Sequence, residues 1–334
     1  MPRICIFGAG SVGCLIGGLL ARSAEVTLIG RARIGGEIAA HGLTLTSLRG
    51  ESRRVPAGAV HFATDASAAA NADLVLVTVK SAATEGAGSA LAAVLAPRSV
   101  VISFQNGVRN AGLLREHLTQ RRVLAGMVPF NVVNRGESVF HRASSGQLMA
   151  ESHPGLDPYL PLFAEAGLPL IRRDDMEEVQ WGKLLLNLNN AINALSGLPL
   201  KEELARRGYR RCLALLQREA LAVLAAAQIA PARLTPLPPR LIPPLLELPD
   251  ALFTRLASRM LAIDPMARSS THEDLEAGRR TEIDYINGEI VNLAERLGLR
   301  APANAKAVAL IRAAEAGDAR RFGADELLRE LKRA

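Results

Sequence analysis

RICIFGAGSVG, residues 3–13, is the stretch from which the fold of this chain can be predicted. It begins with an apolar run that is long enough for a buried strand, and its glycines have the spacing Gly8-x-Gly10-x-x-Gly13. A helical segment rich in Ala, Leu and Gly comes next, followed by a second predicted strand, Glu25 to Ile29. Strand, glycine turn, helix and strand in this order are typical of a βαβ unit that binds a dinucleotide.

Each glycine of this motif has its own predicted role. Gly8 would allow a tight turn, Gly10 would let a pyrophosphate approach the backbone, and Gly13 would let the helix pack closely on the strand. The helix N-terminus would offer unpaired N–H groups to the phosphates. A glycine turn without any ligand is one alternative. A secretory signal peptide starting near Arg3 is another, but glycines interrupt its apolar core and a strand pattern follows directly.

The end of the second predicted strand indicates which dinucleotide binds. NAD-binding versions of the motif carry Asp or Glu there, whereas this chain has Ile29-Gly-Arg-Ala-Arg33. A carboxylate would repel a 2′-phosphate, and a guanidinium can hold it through two parallel hydrogen bonds. We therefore expect NADP(H), with Arg31 at the 2′-phosphate. Solvated surface charge is the alternative explanation for Arg31 and Arg33.

Composition limits the class of protein. The 334 residues are 49% hydrophobic, 4% aromatic and 22% charged, which predicts a globular protein of two domains. The net charge of +7 is spread among acidic residues without a basic tail, so we expect no nucleic-acid partner. No apolar run reaches the roughly 18 residues of a membrane span, and we expect a soluble, cytoplasmic protein. Cys5, Cys14 and Cys212 have neither disulfide nor metal-site spacing, and we expect no metal.

Two more predicted strands end in polar residues. Leu74 to Val79 is a continuous apolar run followed by Lys80, and Ser99 to Phe104 is followed by Gln105-Asn106-Gly107. Because ligands bind at the carboxyl ends of parallel strands, Lys80 and Asn106 are expected near the nicotinamide half of the cofactor. Surface charge is the alternative for Lys80, and a simple turn is the alternative for Asn106-Gly107.

The alternation of strands and helices stops near residues 171–175. Before that point, three further strands are expected to extend the same sheet: Val123 to Val133, Glu137 to Arg142 and Gly146 to Ala150. After it, two long helices are predicted, Met176 to Leu195 and Glu202 to Ala227. Seven prolines between Pro231 and Pro249 predict an irregular but packed crossover.

The first of these helices carries a polar face. Lys183 and Asn187 are one helical turn apart, and Asn190 lies three residues further on. Asparagine is a poor helix former, so four asparagines in one helix need an explanation. A substrate-binding face is one explanation, and a helix–helix contact satisfied by amide hydrogen bonds is the other. The four are Asn187, Asn189, Asn190 and Asn193.

Taken together, the motifs resemble those of the ketopantoate reductase family, the 2-dehydropantoate 2-reductases. The resemblance covers nearly the whole chain and rests on five segments: Gly8–Gly13, Val79-Lys80, Gln105–Gly107, Lys183–Asn187 and Thr281–Gly288. It implies NADPH-dependent reduction of 2-dehydropantoate to pantoate, a step of pantothenate and coenzyme A biosynthesis. The implied fold is an N-terminal Rossmann-type doubly wound α/β sheet that binds NADP, residues 1–172, and an all-helical C-terminal substrate domain, residues 173–334.

The resemblance also implies roles for individual residues. Lys183 would donate a proton to the ketone oxygen while NADPH delivers hydride to C2, and Glu282 would bind the substrate hydroxyl and help to hold the lysine. We expect Lys183 to have an ordinary pKa of about 10.4. The predicted substrate-binding residues are Asn106, Asn187, Asn190 and Ser270. The predicted cofactor-binding residues are Gly8, Ala9, Gly10, Ser11, Val12, Gly13, Arg31, Lys80 and Asn106. A capping box of Thr281 and Asp284 is the alternative for the last segment, and it does not exclude a role for Glu282.

Two departures from the family pattern bear on the substrate. Ala191 and Ala267 stand where family members often have asparagines that touch the substrate. A paralogue that reduces another 2-oxo acid is therefore an alternative, as is a 3-hydroxyacid dehydrogenase of the same two-domain plan. A flavin enzyme fits less well, because its motif usually keeps the strand-end acid. The alternative outside enzymes is an NADP(H)-binding sensor, which would need Arg31 but not Lys183 or Glu282. A homodimer is compatible with the sequence.

Overall fold

The computed structural model describes residues 1–257, 264–318 and 320–333. Its strands are β1 (Arg3–Phe7), β2 (Glu25–Ile29), β3 (Leu43–Ser47), β4 (Ser52–Val55), β5 (His61–Ala63), β6 (Leu74–Val77), β7 (Val100–Ser103), β8 (Arg122–Met127), β9 (Val132–Asn134), β10 (Val139–Arg142), β11 (Leu148–Glu151) and β12 (Leu170–Arg173). Its helices are α1 (Ser11–Leu20), α2 (Ala32–His41), α3 (Thr84–Val94), α4 (Asn110–His117), α5 (Leu160–Glu165), α6 (Met176–Asn187), α7 (Asn189–Ser196), α8 (Leu200–Ala205), α9 (Arg207–Ala226), α10 (Ile242–Leu246), α11 (Asp250–Leu256), α12 (Ser270–Glu276), α13 (Asn287–Arg296), α14 (Pro302–Glu315) and α15 (Ala324–Lys332). The chain divides into two units, Met1–Met176 and Glu177–Ala334.

The first unit is built on an eight-stranded sheet with the order β12-β11-β8-β7-β6-β1-β2-β5. Strands β5, β2, β1, β6, β7 and β8 are parallel, and only β11 runs antiparallel to its neighbour β8. Numbered along the chain, the six parallel strands have the order 3-2-1-4-5-6 of a Rossmann fold. The order reverses between β1 and β6, so the predicted glycine turn and Lys80 both follow strands at the edge where such sheets bind ligands.

Both faces of this sheet are buried, as the continuous apolar runs predict. Ile4 and Ile6 of β1 pack in one core with α1, whereas Cys5 packs on the opposite face in a core that includes Leu91 of α3. All four residues of β6 are fully buried. The sequence expectation that Cys5 and Cys14 are buried is confirmed.

The expectation that all later strands extend one sheet was wrong. β8 and β11 do join the main sheet, but β9 and β10 form a separate four-stranded sheet with the order β4-β3-β10-β9. Phe140 of β10 pairs with Leu45 of β3, and both residues are buried in the core that contains α1. Gly18 of α1 allows this approach, because a Cβ there would lie 3.0 Å from side-chain atoms of both Leu43 and Leu45. The second sheet therefore covers α1.

In the second unit, every regular element among the described residues is a helix. The two long predicted helices are each divided, at Leu188 and at Arg206. Arg206 has extended backbone angles, and the carbonyl of Leu204 that a continuous helix would use accepts a hydrogen bond from Arg210 instead. The buried Arg210 also binds the carbonyls of Leu246 and Leu248, which fixes the end of the proline-rich crossover. No helix among the described residues is long and apolar enough to cross a bilayer.

Candidate active site

The turn after β1 has the tight geometry that the glycine spacing predicts. The N–H groups of Gly8 and Ala9 both donate to the carbonyl of Ile29, at 3.0 and 2.8 Å, and Gly8 has a φ of +123°. A Cβ on Gly8 would lie 2.6 Å from the backbone nitrogen of Val79, and one on Gly13 would collide with the Gly8 carbonyl oxygen. Both positions therefore require glycine for packing within the protein.

Gly10 differs from its two neighbours in the motif. A Cβ built on Gly10 would meet nothing within 4 Å, so packing does not explain why glycine stands there. Gly10 is also the N-cap of α1, without a side-chain cap and without an acidic residue in the first turn of the helix. Free space in front of uncapped N–H groups suits a phosphate that approaches the backbone closely. The segment of Ala9, Ser11 and Val12 around Gly10 thus fits a dinucleotide pyrophosphate.

Two exposed arginines, Arg31 and Arg33, follow the end of β2. Arg31 is the N-cap residue of α2, and its carbonyl accepts the N–H groups of Ile34 and Gly35, but its side chain has no hydrogen-bond or ion-pair partner among the described residues. Arg33, the other candidate, pairs with Glu37 one helical turn later. Arg31 is therefore the arginine that is available for a 2′-phosphate, and Arg33 is explained as a paired surface charge.

The segments after β6 and β7 are held together by a buried polar network. Ser81 donates to the carbonyl of Asn106 at 3.0 Å, and the amide of Asn110 donates to the same carbonyl and to the Ser81 hydroxyl. Thr84 and Gln105 extend this network. It fixes the backbone of the half-buried Asn106, while Lys80 is exposed at the end of β6. Sequence reasoning missed the roles of Ser81 and Asn110; the position of Ser81 directly after Lys80 was an available signal, whereas Asn110 lies seven residues beyond the end of β7.

In the second unit, Lys183 lies on α6 and is half-buried. Burial lowers the pKa of Lys183 to about 8. The expectation of an ordinary lysine pKa was therefore wrong, because a less hydrated environment disfavours the charged ammonium. At neutral pH the group still carries its proton, but it releases that proton much more readily than a surface lysine does.

Two of the four asparagines make a helix–helix contact through their side-chain amides. Such a contact was the alternative to a substrate-binding role for all four. Asn189 and Asn193 donate to the carboxyl group of Glu203 on α8, at 3.4 and 2.8 Å. Asn187 is the last residue of α6, and Asn190 is half-buried near the start of α7. The helix is interrupted between them at Leu188, so the predicted continuous face of Lys183, Asn187 and Asn190 is not one straight helix face.

Ser270 and Glu282 lie at starts of helical segments. Ser270 is the exposed first residue of α12, and the preceding Ser269 caps that helix by accepting the N–H of His272. Glu282 is half-buried and directly precedes a 3₁₀ turn, Ile283–Tyr285.

The predicted capping box does not form near Glu282. Thr281 accepts the N–H of Ile283, but Asp284 pairs with Arg312, and the Thr281 N–H donates to Glu315. Helix capping therefore does not explain this motif.

The predicted site residues are divided between the two units. The glycine turn, Arg31, Lys80 and Asn106 belong to the first, and the remaining ones, Lys183, Asn187, Asn190, Ser270 and Glu282, belong to the second. Ala191 and Ala267, the two departures from the family pattern, are both buried. No cluster of His, Cys, Asp and Glu that could hold a metal occurs among the described residues.

Two protein-family models together match most of both units. The family described as "Ketopantoate reductase PanE/ApbA" matches residues 4–155, and "Ketopantoate reductase PanE/ApbA C terminal" matches residues 175–315. A 2-dehydropantoate 2-reductase from Archaeoglobus fulgidus is 29% identical, over 95% of this chain and 99% of that protein.

Solved structures share the same two-unit fold. A PanE/ApbA family ketopantoate reductase from Ralstonia eutropha JMP134 is 34% identical with a TM-score of 0.78, and the match covers 94% of this chain and 98% of that one. D-mandelate dehydrogenase, solved with NADH and anilino(oxo)acetate, is 20% identical with a TM-score of 0.77 over 94% of this chain and 98% of that one; this likeness shows the fold alone. The chain therefore belongs to the ketopantoate reductase family, whose members are oxidoreductases that act on CH–OH groups.

Proposed function

We propose that this chain reduces the ketone of a 2-oxo acid with NADPH, and that the substrate is 2-dehydropantoate, which would become pantoate in pantothenate and coenzyme A biosynthesis. The observation that carries the proposal is Lys183, a half-buried ammonium whose pKa is lowered to about 8. A general acid is most effective when its pKa lies near the working pH. The relatives named 2-dehydropantoate 2-reductase support this choice of substrate.

The first unit is proposed to hold the cofactor. Gly10 and the N-terminus of α1 would receive the pyrophosphate, and Arg31 would pair with a 2′-phosphate, which NADPH has and NADH lacks. Lys80 and Asn106 would lie toward the nicotinamide half, at the carboxyl ends of β6 and β7. A bound NADPH supplies the hydride that reduces C2 of the substrate.

The second unit is proposed to supply the proton. Lys183 would donate from Nζ to the ketone oxygen as negative charge develops there, and the resulting alcohol keeps that proton. Until the transfer, the ammonium also stabilises the oxygen electrostatically. Glu282 would accept a hydrogen bond from a substrate hydroxyl. Asn187, Asn190 and Ser270 would orient the substrate through hydrogen bonds.

A second candidate is the reduction of a different 2-oxo acid. Ala191 and Ala267 favour it, because they stand where family members often have asparagines and offer no side-chain hydrogen bond to a polar substrate group. A site that lacks such polar partners discriminates poorly in favour of hydroxylated substrates. A substrate that is apolar at those positions would then be preferred to ketopantoate.

NADPH oxidation measured with a panel of 2-oxo acids tests this proposal. The panel should contain ketopantoate, a same-size acid without its hydroxyl group, and a bulkier apolar acid, each with NADPH and with NADH. We expect the highest kcat/KM with ketopantoate and NADPH. A higher kcat/KM for an acid without the hydroxyl would favour the second candidate. Tight NADPH binding without turnover of any acid would indicate a sensor.

A further inference from the structure

Glu203 is a buried carboxyl group that no predicted role accounts for. It lies on α8 and is 0% exposed, and its Oε2 accepts hydrogen bonds from the amides of Asn193 and Asn189. Neither its Oε1 nor the Oδ1 of Asn189 has a hydrogen-bond partner among the described residues. Burial raises the pKa of Glu203 to about 8, so the group is mostly neutral at pH 7, and Oε1, which accepts no hydrogen bond from the described residues, can carry its proton. Its titratable neighbours on α9 are Tyr209 and Cys212, whose pKa values are raised mainly by burial and further by Glu203.

The amide of Asn193 connects this carboxyl to another segment. Its Nδ2 donates both to Glu203, at 2.8 Å, and to the carbonyl of Leu198, at 2.9 Å. Its Oδ1 accepts the backbone N–H of Ser269 at 2.9 Å. Since two partners are acceptors and one is a donor, only one orientation of the amide satisfies all three. Glu203 and Ser269 therefore bind opposite ends of the Asn193 amide, whose orientation is fixed.

Ser269 in turn joins the two helices that carry predicted substrate residues. Its hydroxyl donates to the carbonyl of Asn190 at 3.2 Å and accepts the N–H of His272, which caps α12. The same segment is docked by Leu200, whose N–H donates to the carbonyl of Ala267 at 2.9 Å. Ser270, the first residue of α12, is thereby held against the part of α7 that contains Asn190.

We propose that Glu203 is a positioning residue of the substrate site, which acts through Asn193 and Ser269 to hold Ser270 and Asn190 in fixed relative positions. The proposal rests on the proposed substrate role of those two residues. Glu203 itself touches neither substrate nor cofactor. A neutral carboxyl suits this role, because it keeps the acceptor for Asn193 without burying a charge.

The test compares four proteins: the parent, Glu203→Ala, Glu203→Gln and the control Glu202→Gln, which alters the neighbouring exposed glutamate. Two quantities are measured: hydrogen exchange at the Ser269 amide, and the KM for the 2-oxo acid alongside the Kd for NADPH. We expect Glu203→Ala to speed exchange at Ser269 and to raise KM by about tenfold, with an unchanged Kd for NADPH. Glu203→Gln at pH 7 and the control should both match the parent.

A second comparison applies even if Glu203→Ala does not fold. When the pH is raised from 7 to 9, Glu203 should ionise, and the parent should then exchange faster at Ser269 than Glu203→Gln does at the same pH. Equal exchange in these two proteins at pH 9, or a Glu203→Ala variant that loses only thermal stability, would overturn the proposal. If the parent reduces no 2-oxo acid, the exchange measurements still decide whether Glu203 positions Ser269, so that failure is distinct from failure of the proposed reaction.

Discussion

Replacing Lys183 with methionine should stabilise the fold while removing the proposed proton donor. In the folded protein the pKa of Lys183 is about 8, whereas in the unfolded chain it is about 10.4. Each unit of this difference corresponds to about 1.4 kcal/mol, so the buried ammonium lowers the free energy of unfolding by about 3 kcal/mol at pH 7. Methionine keeps the length and apolar stem of the side chain without the charge. We expect Lys183→Met to recover part of this energy, because the variant also loses the polar or electrostatic interaction that the ammonium makes.

The stability difference between Lys183→Met and the parent should depend on pH, in a direction that follows from the lowered pKa of Lys183. Because the folded-state pKa is the lower one, this group binds more protons in the unfolded chain between about pH 8 and about pH 10.4, and the contribution of Lys183 to the stability of the parent rises across that window. The advantage of Lys183→Met should therefore be larger at pH 7 than near pH 9.5 by about 2 kcal/mol. Glu203 is present in both proteins, so its own titration cancels in the difference.

Urea unfolding at the two pH values measures this difference. Trp181, the single tryptophan of the chain, is buried on α6 two residues before Lys183, and its fluorescence reports unfolding of this helix. Lys201→Met, which alters an exposed lysine on α8, is the matched control and should change stability by less than about 0.5 kcal/mol. A Lys183→Met variant that is less stable than the parent at pH 7, or an advantage that does not change with pH, would refute the reasoning.

Two further predictions concern the cofactor. Arg31→Ala should raise the Kd for NADPH by about tenfold to a hundredfold, because a charge-assisted hydrogen bond contributes about 1.5–3 kcal/mol. The Kd for NADH should stay nearly unchanged. Equal losses of affinity for both cofactors in calorimetric titration would contradict the role of Arg31. Gly10→Ala should keep the melting temperature of the parent, since its methyl group meets open space, yet weaken NADPH binding; Gly13→Ala should lower the melting temperature itself. Unchanged NADPH affinity in Gly10→Ala would show that the pyrophosphate does not approach that position.

Local patterns in the sequence predicted the centre of the first unit well. The apolar run from Leu74 to Val79 and the spacing of Gly8 and Gly13 mark a strand and a tight turn, and the structure confirms both, with the strand ending at Val77. The sheet to which β9 and β10 belong was not predictable, because an alternating strand reads the same in either sheet. The choice depends on the distant packing of Phe140 beside Leu45.

The chemistry of the candidate site was less predictable than its location. Glu203 has charged sequence neighbours, as a surface residue would, and the apolar neighbours of Lys183 do not by themselves show that burial moves both pKa values to about 8. The division of the long helix at Arg206 was also hidden, because no proline marks it and Gly208 lies two residues after it. It depends on a carbonyl contact made by Arg210 from the following helix. Such effects arise from tertiary contacts and cannot be read from spacing.

The measurement that most directly tests the central claim is the pH profile of 2-oxo acid reduction by the parent and by Lys183→Ala. If Lys183 is the general acid, kcat/KM of the parent should fall about tenfold per pH unit above about pH 8. Lys183→Ala should lose at least about a hundredfold in kcat, lose the alkaline decline, and bind NADPH within a few-fold of the parent. A Lys183→Ala variant that turns over the acid as fast as the parent, with the same pH profile, would contradict the account.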